Sequence, residues 1–396
     1  MLYSFDGSYY PDSDLVFDQY GNLYGTGYGW LCGGGAVFEL QPGQGNTWTE
    51  QDLYLFCSQN NCQDGAMPQG GVIVDSAGNL YGTATCGGSQ GVGVVFELTL
   101  GKGGWSEQVL YNFAGGTDAA LPYGGVIMDA AGNLWGTTSA GGRDNGGTVF
   151  ELSPGANGTW TEKVLHSFKR GPGGYVDGPF SGVVFDAAGN LYGTTYGAGL
   201  DSDYCDPTEG SCGRVFELSP GADGKWTEKT LHRFRGLPDG ANPWAGVTLD
   251  KDGNAYGTTL YGGTGQCYSG YGVLIGCGTV FRVSPSQNGK WTETVLHSFV
   301  TDGFDGLYSF AGLTLDASGN LYGTTSAGGT RDSGTVFKMT LHPNGDWTEG
   351  VIYNFGRVGD GNTPEAGVIF GATGELYGTT FYGGEYGGGA VFEVEP

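Results

Sequence analysis

The sequence predicts an all-β chain, a seven-bladed β-propeller of four-stranded antiparallel blades, and three observations carry that prediction. The segment G-N-L-Y-G-T recurs seven times with few substitutions, beginning at Gly21, Gly78, Gly132, Gly189, Gly253, Gly319 and Gly374. The starts lie 57, 54, 57, 64, 66 and 55 residues apart, a spacing that marks a solenoid, a propeller or an array. Each copy sits inside a longer unit: G-V-x-x-D-x-x-G-N-L-Y-G-T-T, a Gly-rich loop, G-T-V-F-E-L-x-P, then W-T-E-x-V-L-H/Y-S-F. Its four short runs of Val, Phe, Tyr, Thr and Trp, punctuated by Asp, Gly, Asn and Pro, read as consecutive antiparallel strands, and four such strands make a blade. No window shows a helical apolar period.

The chain ends argue for a closed arrangement. Six units carry the fourth strand, marked by Trp48, Trp105, Trp160, Trp226, Trp291 and Trp347, whereas the seventh stops at Val391 to Val394. The chain begins instead with Leu2-Tyr3-Ser4-Phe5, which matches the end of the missing strand. The N-terminus is therefore expected to supply the outer strand of the last blade, closing the ring and removing an exposed sheet edge. A solenoid has no reason to split one unit between its termini. The repeats leave no room for a linker, so residues 1–396 read as a single domain.

Glycine, at 82 residues, is about three times its ordinary usage, and its fixed places in each unit separate it from low complexity. A net charge of -25 with only 16 Lys and Arg excludes nucleic acid and anionic membrane surfaces as partners and suits a neutral or cationic ligand. No run of 18 apolar residues exists, so no membrane-spanning helix is expected. No signal peptide precedes the first strand, and Met1 reads as a trimmed start. A monomer is expected.

Eight cysteines allow many pairings, and the repeat narrows them. Cys57 with Cys62, Cys205 with Cys212 and Cys267 with Cys277 each close a short loop in one unit, while Cys32 and Cys86 occupy the same loop in adjacent units. No C-x-x-C pair appears and the four His are remote from these loops, which disfavours zinc at the cysteines. Disulfides imply a secreted or periplasmic protein.

With the G-V-x-x-D strand innermost, the D-x-x-G-N turn and the turn after E-L-x-P are short and uniform. The other two connections share the opposite face and carry all the length variation, including the long insertions Gly199 to Gly213 and Gly262 to Gly278. Long cross-linked loops on a rigid scaffold are where binding usually resides.

The units can also be compared with one another, since residues common to most of them serve the blade. By this test His166, His232 and His297 read as packing residues, because other units have Tyr3, Tyr54, Tyr111 and Tyr353 there, and His342 stands alone in a turn. Neither a Ser-His-Asp triad nor a His-based metal site is expected. The Asp of D-x-x-G-N, such as Asp75, Asp129 and Asp186, reads as a turn residue bonding its own backbone, with structural calcium as the competing use. No cofactor is expected.

The informative departures lie in P-x-x-G-V. The residue after the Pro is Asp12, Gln69, Tyr123, Phe180, Trp244, Phe310 and Glu365 in turn, with Ser309 replacing the Pro in unit six and Asp14 replacing a Gly in unit one. This position is expected to line the mouth of a central channel with an aromatic arc and a carboxylate cluster. Sugar rings pack on Tyr, Trp and Phe, and two carboxylates can protonate a leaving oxygen and activate water or attack. Packing residues and solvated acids are the competing reading.

As they stand at Gly189 to Thr195 and Gly147 to Leu152, the units resemble the GloVer-type tandem repeats of bacterial extracellular proteins. The D-x-x-G-N-L-Y core is also similar to the NHL and regulator-propeller repeats. The resemblance spans essentially the whole chain, with departures at Ala255, Gly371 and Glu375. It implies the fold and brings no catalytic motif, and fold does not fix activity.

The functional expectation is a secreted carbohydrate-active enzyme, first a glycoside hydrolase acting on a polysaccharide or oligosaccharide through Asp12, Glu365 and Asp14, with Gln69, Tyr123, Phe180, Trp244 and Phe310 binding substrate. A polysaccharide lyase ranks behind it; Lys169, Arg170, Arg143 and Arg331 are the available cations to neutralise a uronate, but the channel mouth is acidic. A non-catalytic propeller binding glycans or proteins is the alternative from another class.

Overall fold

A computed structural model describes residues 1–29, 32–45, 47–170, 177–197, 212–286 and 288–396. It is an all-β, seven-bladed propeller of four-stranded antiparallel sheets. The third blade is representative: Ile127–Met128, Leu134–Thr138, Asn145–Pro154 and Trp160–Lys169 pair in that order, from the G-V-x-x-D run to the W-T-E run. The seventh blade takes Ile369–Phe370, Leu376–Thr380 and Ala390–Val394 from the C-terminal end and Tyr3–Ser4 from the N-terminus. Tyr3 is in register with Val391 and Ser4 with Ala390, so the split unit is completed as its sequence predicts.

The chain forms two compact units. One comprises Met1–Phe168, Arg357–Asn362 and Ile369–Glu395 and contains blades 1, 2, 3 and 7; the other comprises Lys169–Gly356 and Thr363–Val368 and contains blades 4, 5 and 6.

Each recurring residue has a physical task. The Phe of G-T-V-F-E-L is fully buried in every blade (Phe38, Phe96, Phe150, Phe216, Phe281, Phe337, Phe392). Its ring lies on the Gly of the neighbouring L-Y-G-T strand. A Cβ at Gly82, Gly136 or Gly257 would stand 2.6 Å from the rings of Phe96, Phe150 and Phe281, so only glycine fits. The Phe ending the fourth strand packs on the central Phe of the next blade, with ring centres 4.8 Å apart for Phe56 and Phe96, 5.2 Å for Phe113 and Phe150, and 5.0 Å for Phe234 and Phe281. Burying each such ring contributes about 1.5–3 kcal/mol, so these pairs are apolar links between blades.

The Asp of D-x-x-G-N closes its own turn. Asp129 Oδ1 accepts the backbone N–H groups of Ala131 and Asn133, both at 2.9 Å, while Oδ2 accepts the Asn133 amide at 2.8 Å and the Trp135 indole at 3.1 Å. Asp18, Asp75, Asp186, Asp250 and Asp316 make the same set with a Tyr in place of the Trp. Burial alone would raise Asp129, Asp186, Asp250 and Asp316, but these hydrogen bonds outweigh it and hold the carboxyls below their ordinary value.

The cysteines pair as Cys32–Cys86, Cys57–Cys62 and Cys267–Cys277. Cys212 is also disulfide-bonded, and its expected partner Cys205 lies outside the described residues. Among the described residues no helix is long and apolar enough to cross a membrane.

Candidate functional site

The variable position after the Pro is fixed by the invariant part of the neighbouring repeat. The first Thr of G-T-T donates its hydroxyl to the carbonyl of the residue that follows the variable one in the next blade. Thr194 bonds Ala245 at 2.8 Å, Thr258 bonds Ala311 at 2.7 Å, Thr324 bonds Ala366 at 2.8 Å and Thr83 bonds Gly124 at 2.9 Å. Looser versions join Thr26 to Gly70 and Thr379 to Ser13 at 3.3 and 3.2 Å. The Thr side chains are buried, so each bond pins the backbone beside Trp244, Phe310, Glu365, Tyr123, Gln69 and Asp12.

In the unit of blades 4 to 6, three of the expected aromatics come together. Phe180 and Trp244 have ring centres 4.9 Å apart, and Trp244 meets Phe310 edge-on at 5.4 Å. Tyr196, directly after G-T-T, joins them at 5.3 Å from Phe180 and 5.4 Å from Trp244. Phe180 and Tyr196 are buried while Trp244 and Phe310 keep part of their faces open, so the group forms a shelf on an apolar footing. Phe310 also lines a cleft of about 240 Å³ with Tyr261, Tyr268, Ser269, Tyr308 and Ser326. Tyr268 and Ser269 belong to the fifth unit's long insertion, which the Cys267–Cys277 bridge ties down. Burial raises the Tyr308 phenol above its ordinary value. The corresponding insertion of unit four lies largely outside the described residues.

In the other unit, Asp12 is half-buried, Asp14 is exposed, and Gln69 accepts a hydrogen bond from Thr85 at 3.3 Å. Tyr123 is half-buried and its phenol is pushed up by burial. A second aromatic group stands beside the Tyr10–Pro11 strand that precedes Asp12. Tyr10 stacks on Phe381 at 5.1 Å, and Tyr28 and Tyr382 lie 5.4 and 4.5 Å from Phe381. Aromatics therefore accompany the acidic as well as the aromatic positions of the repeat. Glu365 is half-buried in the unit of blades 4 to 6, next to the pinned Ala366. Arg143, Lys169, Arg170 and Arg331 are exposed, and none of them lines the cleft.

The repeat hides a second set of groups. The Glu of W-T-E reaches the Asp and the Tyr or His of the preceding blade. Burial first, and the nearby Asp64 and Asp118 second, push Glu107 and Glu162 up to about 7. Glu293 and Glu349 are also raised to about 7, chiefly by burial, with His232 and His297 acting in the opposite sense. Where the sequence predicts only packing for these histidines, each does lie edge-on to a Phe, at 4.9 Å for Phe234 and 5.0 Å for Phe299, but each also contacts an Asp. Invariance hid the glutamates, because comparing units singles out only what differs between them.

A ring of near-identical four-stranded units that presents variable side chains from one repeated position is a tandem-repeat β-propeller. The chain is a member of the Gloeobacter/Verrucomicrobia repeat family, whose model matches residues 10–271 and 267–396. No curated protein matches it in sequence. Among solved structures it is similar to a polysaccharide lyase, PL25-ulvanlyase, at 9% identity over 96% of this chain and 90% of that one, with a TM-score of 0.57. A structure of that name bound to -[GlcA(1-4)Rha3S]- shares 9% identity over 97% and 94%, with a TM-score of 0.54. The polysaccharide lyase Uly1 shares 11% identity over 99% and 91%, with a TM-score of 0.53. At these identities the likeness is one of fold.

Proposed function

We propose that this protein is a carbohydrate-active propeller that holds a polysaccharide along the shelf of Phe180, Trp244 and Phe310, and that it cleaves by β-elimination. The observation that carries the reading is the continuity of that shelf, through Phe310, with the tyrosine-lined cleft. Flat apolar faces with one polar edge suit sugar rings, and a concave aromatic site with few polar groups is the common form of a small-molecule pocket.

Elimination is preferred to hydrolysis for two reasons. Proteins that share the fold are named polysaccharide lyases. The cleft also offers the phenols of Tyr261, Tyr268 and Tyr308 and, among the described residues that line it, no carboxylate. A phenol can take or return the proton on the carbon beside a uronate carboxylate or on the leaving oxygen. Hydrolysis instead requires the carboxylates Asp12, Asp14 and Glu365 to act across one glycosidic bond.

A second reading, a glycan-binding propeller without catalysis, is favoured by one observation: among the described residues the cleft lining holds no cation to neutralise a uronate, on a chain of net charge -25. Incubation with neutral and uronate-containing polysaccharides separates these readings. Elimination creates a conjugated double bond with ultraviolet absorbance, hydrolysis releases reducing ends without it, and binding retains polymer without either. Reducing ends without absorbance would replace the lyase with the hydrolase, and retention alone with the binding module. No retention and no cleavage across the panel would end the carbohydrate reading.

A further inference from the structure

The boundaries between blades carry a repeated three-residue motif. Tyr54, Asp64 and Glu107 meet at one, Tyr111, Asp118 and Glu162 at the next, and His232, Asp239, Glu293 and His297, Asp305, Glu349 at two more. In all four, the Glu Oε1 is buried and accepts no hydrogen bond. A buried acceptor left unpaired carries a desolvation cost that a proton, a water or a cation can relieve.

The Tyr and His versions differ in what they offer. A Tyr hydroxyl donates to the Asp, as Tyr54 does to Asp64 Oδ2 at 3.0 Å, and offers no nitrogen to a metal. An imidazole brings a ring nitrogen that can ligate metal. His232 Nε2 lies 3.2 Å from Asp239 Oδ2 and His297 Nε2 lies 3.0 Å from Asp305 Oδ2, and in both groups the His, Asp and Glu ligand atoms all lie within 4.8 Å of one another. Each Asp is held in place by the backbone. The Arg235 and Gly240 N–H groups reach Asp239 at 3.1 and 2.8 Å, and the Val300 and Gly306 N–H groups reach Asp305 at 2.9 and 2.8 Å. Such outer hydrogen bonds orient a ligating carboxylate.

We infer that these two groups are binding sites for a first-row divalent transition metal such as Zn²⁺, one His and two carboxylates at each, while their Tyr counterparts are not. Donors about 2.1 Å from an ion lie roughly 3 Å from one another, which matches the His–Asp pairs, and the ion gives the orphaned Glu oxygen a partner. One nitrogen and two carboxylate oxygens suit Zn²⁺ or Mn²⁺ better than Mg²⁺ or Ca²⁺, which prefer all-oxygen sets.

The chain supplies its own control, because tyrosine already occupies the equivalent position at 54 and 111 in the same fold. Full-length protein stripped with chelator is titrated with Zn²⁺ alone, reading bound metal per chain and the thermal midpoint. Wild type is expected to take two equivalents and gain several degrees, His232→Tyr and His297→Tyr one equivalent each, and the double variant none with its metal-free midpoint kept. Fewer than two equivalents on wild type, or equal uptake by the double variant, overturns the inference. If the double variant fails to fold, Glu293→Gln and Glu349→Gln take its place with the same expected losses.

Discussion

Thr194 donates its hydroxyl to the carbonyl of Ala245 at 2.8 Å, one residue beyond Trp244, so an invariant residue of one repeat fixes a variable residue of the next. Thr194→Val keeps the shape and removes the donor, leaving a carbonyl without its partner. A loss of about 1–3 kcal/mol is expected in denaturant unfolding. Glycan affinity is expected to fall as well, although Thr194 is absent from the shelf. Unchanged stability and affinity would show that the bond does not position Trp244.

Removing residues 1–5 strips the outer strand from the seventh blade and withdraws Phe5 from Phe38, whose ring centre is 5.0 Å away. Phe5→Ala alone is expected to cost about 3–5 kcal/mol, and the deletion more, because it also reopens a sheet edge. Thermal unfolding and the onset of aggregation measure both effects.

How the N-terminus pairs was legible because the repeat is incomplete at one end and begun at the other, and sheet edges demand partners. The strand order, the disulfide pairing of Cys57 with Cys62, and the turn role of Asp129 were legible for a related reason: each is local to one unit or to neighbouring ones. The aromatic shelf was half legible. Phe180, Trp244 and Phe310 stood out as departures, but Tyr196 and Tyr308 did not, since a residue's place across a blade boundary depends on packing that no single unit encodes. The boundary glutamates escaped altogether, because W-T-E reads as a strand with exposed alternate residues until the preceding blade covers it.

Glu107 and Glu162 give stability a pH signature. Both rise from an ordinary 4.5 to about 7 when folded, facing Tyr54 and Asp64, and Tyr111 and Asp118. The folded chain therefore binds more protons than the unfolded chain across that window. The stability they confer is full below about 4.5 and is lost as pH rises through about 7. Each contributes on the order of 1 kcal/mol once partial exposure is discounted. Thermal midpoints of wild type and the Glu107→Gln, Glu162→Gln variant, followed from acid to neutral pH, are expected to converge in acid and to separate at neutral pH, with the variant higher. A constant difference would contradict this assignment.

Reductant is expected to lower the thermal midpoint, since Cys32–Cys86 links loops of adjacent units and Cys267–Cys277 holds a wall of the cleft. Each bridge contributes about 2–4 kcal/mol through the unfolded chain. Cys267→Ser with Cys277→Ser is expected to weaken glycan retention more than Cys57→Ser with Cys62→Ser, whose loop lies outside the cleft lining. Equal retention by the two pairs would mean that the insertion takes no part in binding.

Binding of carbohydrate on the aromatic shelf is read by native electrophoresis through gels containing individual polysaccharides, comparing wild type with Trp244→Ala. Trp244 is only half-buried, so its truncation is expected to leave the fold intact, which circular dichroism checks. At least one polysaccharide is expected to slow wild type, with Trp244→Ala at least tenfold less retarded, a loss of about 1.4 kcal/mol in binding. Equal retardation of the two proteins, or none of either in any gel, would contradict it.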